Sequence, residues 1–353
     1  MTFYEELQLN QTGSKNIIRE CSNKKEKLHH ILIYIFKVFI TLAFCISFVM
    51  LFSLVFGSEN SIAGVVVLLF ILIFRQTDFN INSLHSILNM FLIFGIMGIG
   101  SYIAYSSSIF FAFITNFICI FLITVLSCHN VHMFNHSIVV MCYILLFGYE
   151  VTEKSYIMRL LGLMLGALIC SIIIYRKTIN KNYKKNFSHL FTEFDIKTEK
   201  SKWQLSLALS VSTAMFIGQL LGFKRVIWIG FSALAVSQIS PELRIQKAIH
   251  RIPGTLAGVL LFYIFYKIIP MEFHNMLGIL GGLCVGFCTL YGFQTMFNCL
   301  GAMSVAVDII GIYSTILFRI IDTLFGVLYG VVFHHIFDKL HLKYINKNSE
   351  LHK

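Results

Sequence analysis

The sequence predicts an all-α polytopic membrane protein of about twelve transmembrane helices, arranged as two six-helix repeats. Composition is the first reason. Of 353 residues, 57% are hydrophobic and 13% charged, against roughly 45–50% and 25% in globular domains. The second is a series of about twelve apolar runs, most of them near the ~20 residues a helix needs to cross a bilayer. The third is a one-sided distribution of Lys and Arg along those runs. Thirty-five Phe and a mean hydropathy of +0.78 exclude a disordered chain. Nine Cys, most within apolar runs, exclude a disulfide scaffold.

In chain order, residues 1–30 read as a polar cytoplasmic tail. The first membrane half, 31–175, holds runs at 31–56, 62–74, 84–105, 108–127, 137–149 and 156–175. The runs at 62–74 and 137–149 are too short for full spans and read as half-helices or as helices extending into polar flanks. Residues 176–202 form a basic cytoplasmic linker, and residues 203–337 the second half. Its runs are 203–222, 226–239, 248–268, 275–291, 294–312 and 316–337, with 338–353 as a second cytoplasmic tail. At ~20 residues per span, little remains beyond short turns, so no globular catalytic domain fits on either side. The first apolar run begins near Ile31 and is too long for the core of a cleavable signal peptide.

The net charge of +11 invites a nucleic-acid reading, which its placement removes. The first tail holds five Lys/Arg, the linker eight and the second tail four. Arg75, Arg244, Lys247 and Arg251 add four more on that side if spans alternate, giving 21 of 28. Lys154, Lys224, Arg225 and Lys267 fall opposite. This bias places both termini in the cytoplasm, with the lipid bilayer as partner and no nucleic acid.

A repeat supports two halves. Arg159-Leu-Leu-Gly162-Leu-Met-Leu-Gly166 aligns with Arg319-Ile-Ile-Asp322-Thr-Leu-Phe-Gly326, and a third copy runs Arg251-Ile-Pro-Gly254-Thr-Leu-Ala-Gly258. Glycines four apart on one helix face let backbones approach closely, so Gly162, Gly166, Gly254, Gly258, Gly326 and Gly330 read as packing positions. The arginines carry more chemistry. A guanidinium in a span costs at least ~2.5–3.5 kcal/mol and needs a partner, a wet cavity or an escape to the interface. Arg319 has Asp322 one turn away, Arg159 has no acid near it within its span, and Arg251 sits at a helix start from which it can snorkel. Structural pairing or snorkelling is the plain reading; neutralising an anionic substrate is the sharper one. Asp308, in an apolar stretch, and Asp322 are the candidate proton carriers.

Cys128-His129-Asn-Val-His132-Met-Phe-Asn-His136 is the one metal-like cluster, and it reads as a polar turn rather than a metal site. No Gly-Lys-Ser/Thr phosphate loop, Gly-x-Ser-x-Gly or His-Glu-x-x-His occurs. No enzyme, cofactor or metal is therefore expected.

The stretch Val-Ile-Trp228-Ile-Gly-Phe-Ser-Ala-Leu-Ala-Val-Ser-Gln238-Ile-Ser-Pro241, followed by Arg251-Ile-Pro-Gly254-Thr255-Leu-Ala-Gly258, resembles the fusaric acid resistance protein-like family, related to the aromatic acid exporters. Trp228, Gln238, Arg251, Gly254, Thr255 and Gly258 match its pattern, and Arg319, Asp322, Thr323 and Gly326 match its closing helix. The resemblance covers about 203–337. In the first half Gln76 is retained but the Arg-Gly-Thr element is not. It implies a six-plus-six helix protein of a bacterial inner membrane that exports aromatic carboxylates or related acids. Many members carry large cytoplasmic domains, in whose place this chain has only residues 176–202.

The expected function is proton-coupled export of small aromatic or amphipathic organic anions. Arg159, Arg319, Arg251, Trp228, Gln238 and Thr255 would form the substrate path, with Asp308 and Asp322 moving protons. A non-transporting scaffold or envelope-assembly subunit and a passive anion channel are the alternatives.

Overall fold

The computed structural model of the chain describes residues 2–351 except 129–134, 152 and 275. The described residues form fifteen α-helices and no strand. Seven are long and apolar enough to cross a membrane: α3 (Lys24–Phe56), α5 (Ser83–Ser106), α6 (Ile109–Ser127), α8 (Glu153–Thr178), α12 (Pro241–Ile268), α14 (Tyr291–Ile310) and α15 (Ile312–Leu351). The other expected runs form four shorter apolar helices, α4 (Ser61–Phe74), α7 (His136–Gly148), α11 (Val226–Val236) and α13 (Met276–Phe287), and the more polar α10 (Glu199–Leu220). Three short helices complete the set: α1 (Phe3–Gln8), α2 (Gln11–Glu20) and α9 (His189–Thr192).

Several helices outrun their apolar stretches. α3 starts at Lys24 rather than 31, α12 at Pro241 rather than 248, and α15 continues through the expected tail to Leu351. Lys, Glu and Leu are good helix formers, and no Gly or Pro interrupts these flanks, so helical backbone continues where hydrophobicity ends. Pro241 itself sits at the first helical position, where its missing N–H costs nothing.

The chain divides into two compact units, each discontinuous in sequence: Met1–Ser47 with Ile249–Ile321, and Phe48–Ala248 with Asp322–Lys353.

In the first unit, α13 packs on α14, and Val259, Phe262, Leu277, Cys299, Leu300 and Met303 form its core. Small residues let α12 and α13 approach α14. A Cβ on Gly281 of α13 would lie 2.7 Å from the Phe297 carbonyl oxygen, and on α12 one on Gly254 would lie 2.5 Å from that of Gly292 and one on Gly258 2.5 Å from that of Met296. The N-terminal helices belong to this unit. α1 begins with a reciprocal cap between Thr2 and Glu5, and buried Glu6 accepts from His30 Nδ1 at 2.8 Å. From α2, Gln11 Nε2 donates to the Val285 and Gly286 carbonyls and Lys15 Nζ to that of Phe287 at 2.7 Å. Tyr34 from α3 adds a bond to Gly286.

In the second unit, α6 packs on α10, α5 on α6 and α8, α4 on α7 and α8, and α11 on α7 and α10. Gly162 and Gly166 face Phe52 and Val67, while Gly326 and Gly330 face α11 at Ile229 and Val236. Each glycine admits a neighbour that a Cβ would displace.

The four short helices share a device. Backbone carbonyls at and just beyond their C-terminal ends accept from a cation on another element. Lys177 Nζ donates to the Thr77 carbonyl just after α4 at 2.9 Å. Arg159 Nη1 donates to Tyr149 after α7 at 2.7 Å, and Arg244 Nε to Gln238 after α11 at 2.6 Å. Lys15 serves α13. A helix leaves its last carbonyls unpaired and its C-terminus partly negative, so a cation there supplies both a donor and a favourable charge. In lipid, where water cannot substitute, the donor is needed more. Next to α4, Asp78 accepts from Lys181 at 2.9 Å and holds that ammonium above its usual pKa.

Candidate functional site

Arg159, 3% exposed on α8, is the best-defined buried cation. Its Nε donates to Asn60 Oδ1 at 3.2 Å, and its Nη1 to the Tyr149 and Leu146 carbonyls. Its Nη2 has no hydrogen-bond partner among the described residues. The guanidinium lines a small cleft open to the surface, walled by Ser101, Tyr102, Tyr105, Leu146, Glu150, Val151 and Tyr156. Tyr102 and Tyr156 stack there with ring centroids 3.9 Å apart. The fold thus presents one donor edge of a fixed cation beside a pair of aromatic faces. That combination suits an anion with an apolar body. One carboxylate, that of exposed Glu150, shares the cleft.

The remaining expected residues are dispersed. Arg319 and Arg251 lie in the first unit. Arg319 is buried with Nη2 3.6 Å from Cys299 Sγ, and half-buried Arg251 donates to the Tyr291 hydroxyl at 2.9 Å. Thr255 is buried one residue beyond Gly254. Asp308 is exposed in the last turn of α14, not enclosed by the apolar residues around it in sequence, because the helix turns that position outward. Asp322 is fully buried in the second unit. Trp228 is buried on α11, and Gln238, just past its end, bonds the Ala235 carbonyl while its own carbonyl receives Arg244.

Among the described residues no three His, Cys, Asp or Glu side chains gather as a metal site. His129 and His132 lie outside the described residues. His136 packs edge-on against Trp203 at 4.9 Å. All nine cysteines are free.

The helix carrying Trp228, the turn at Gln238 and the Arg251-to-Gly258 face are thereby placed on α11 and α12, followed by the Arg319-to-Gly326 face on α15. Residues 213–333 match the fusaric acid resistance protein-like family. No curated protein and no solved structure matches the chain. The fusaric acid resistance protein-like segment runs from within α10 to within α15, and with the seven long apolar helices it makes this a multi-pass membrane protein consistent with a transporter or exporter in general. The family is generally one of transporters rather than enzymes. Arg159 and its cleft lie outside the matched segment.

Sequence reasoning missed the cleft tyrosines, Asn60 and Arg225. The cue for Arg225 is present: a Lys224-Arg225 pair sits directly before the Trp-bearing helix.

Proposed function

We propose that the chain exports small amphipathic organic anions across a bacterial inner membrane, coupled to protons, with both termini cytoplasmic. The Arg159 cleft carries this reading. A buried guanidinium with an unengaged Nη2, beside stacked tyrosines, can receive a carboxylate while the rings take the apolar part. The bulk of that charge is already employed in capping α7, so the arginine has a reason to be in place before any ligand arrives. Asp322, buried in a span, and Asp308, exposed in the last turn of α14, are the proton carriers in this scheme.

Two six-helix repeats fit the observed order. The 160-residue offset between Arg159 and Arg319 lays α4 over α11, α5 over α12, α6 over α13, α7 over α14 and α8 over α15. Inverted or parallel repeats are a common build of secondary transporters.

The test is uptake of labelled benzoate into everted vesicles, with and without an imposed pH gradient. Uptake should need the gradient and fall at least about tenfold in Arg159→Gln. Since that variant also removes the α7 cap, Tyr102→Leu and Tyr156→Leu, which keep the cap, should fall as well. Unchanged uptake in all three variants would discard the cleft as the substrate site.

A further inference from the structure

Arg225 is another buried guanidinium in the unit that holds Arg159 and Arg244, and it does not line the Arg159 cleft. It is 7% exposed and makes no ion pair among the described residues. Its Cζ lies 5.0 Å from the ring centre of Tyr149 and 5.8 Å from that of Trp228. The local packing fixes this arrangement: Gly148, at the end of α7, has no Cβ where Ile227 of α11 presses against it. The two rings therefore meet the cation from α7 and α11.

Aromatic faces attract a cation but leave the N–H bonds in the guanidinium plane unused. The two nitrogens with no hydrogen-bond partner among the described residues are Nε and Nη2. They form one edge of the guanidinium fork, with parallel N–H bonds at the spacing of two carboxylate oxygens. The position adds to this. Arg225 is the N-cap residue of the eleven-residue α11, and no side chain caps that helix start. The first turn of a helix is partly positive and offers free N–H groups to an anion. A charged donor pair buried without an acid, at a helix start without a cap, lacks one thing: a carboxylate.

We propose that Arg225, clamped between Tyr149 and Trp228 at the start of α11, is a binding site for the carboxylate of a small organic acid, separate from the Arg159 cleft. This holds whether or not the chain transports the acid.

Trp228 also provides the readout, as one of only two tryptophans. Benzoate titrated into the full-length protein in nanodiscs should change tryptophan emission saturably, while uncharged benzamide should leave it flat. Arg225→Gln should abolish the response. Arg225→Lys, which keeps the charge but not the fork, should raise the half-saturating concentration about tenfold or more. If Arg225→Gln does not fold, the Lys variant and the benzoate–benzamide pair decide. No saturable response in the parent, an equal response to benzamide or chloride, or parent-like affinity in Arg225→Lys would overturn the proposal.

Discussion

Single positions differ sharply in what they can accept. A Cβ on Gly326 would sit 2.5 Å from the carbonyl oxygen of Ile229, an atom of another helix's backbone that cannot swing aside. Gly326→Ala should therefore cost on the order of 1–3 kcal/mol and lower the thermal midpoint by several degrees. Gly95, in the interior of α5, has nothing within 4 Å of a Cβ, so Gly95→Ala should leave the midpoint unchanged or raise it. Thermal unfolding of both variants in one detergent measures the contrast, and equal shifts would refute the packing account. The four-residue glycine spacing was legible in the sequence because helix geometry puts such residues on one face. What each glycine meets was not. Gly166 meets a valine side chain and Gly326 a bare carbonyl, although both hold the same place in the Arg-to-Gly repeat. Asp308 shows the same limit: an apolar neighbourhood in sequence does not say which way one turn of helix points.

Among elements, the short helices depend most on distant residues. The run at 62–74 could be recognised as short by counting, but its stabilising cation could not, since Lys177 is 100 residues from the Thr77 carbonyl it serves. The α11 end is more elaborate. Arg244 links the Gln238 and Ile239 carbonyls to Asp338 of α15, and Lys202 reaches the same carboxylate at 3.2 Å. Asp338→Asn removes the charge shared by two cations while keeping the shape. A loss of about 1–3 kcal/mol is expected, because both partners are buried. Arg244→Met should cost at least as much, and the double variant should cost less than the two losses added, the signature of one network. Strict additivity in thermal unfolding would show that the residues act independently.

Across the whole molecule, the sequence carried the class and the approximate helix positions, because hydrophobic length and charge bias are summed over many residues and tolerate local error. The two-unit division was not legible: it joins residues 1–47 to 249–321, and no composition shift marks that pairing. The proposed orientation, with both termini cytoplasmic, rests on the basic tails and linker. A green fluorescent protein fused to either end should fluoresce, whereas alkaline phosphatase at either end should be inactive in intact cells. Active phosphatase at one end only would mean an odd number of crossings.

The bonds from Gln11 and Lys15 to the end of α13 join partners 272–275 residues apart. On a ribosome adding ~5–20 residues per second, roughly 15–55 s separate the emergence of one side from the other. Throughout that interval the leading stretch is polymerised, amphipathic and lacking its acceptors. Until then water or lipid headgroups must serve those donors. A chain that ends midway would leave its earliest-made helices with nowhere to dock.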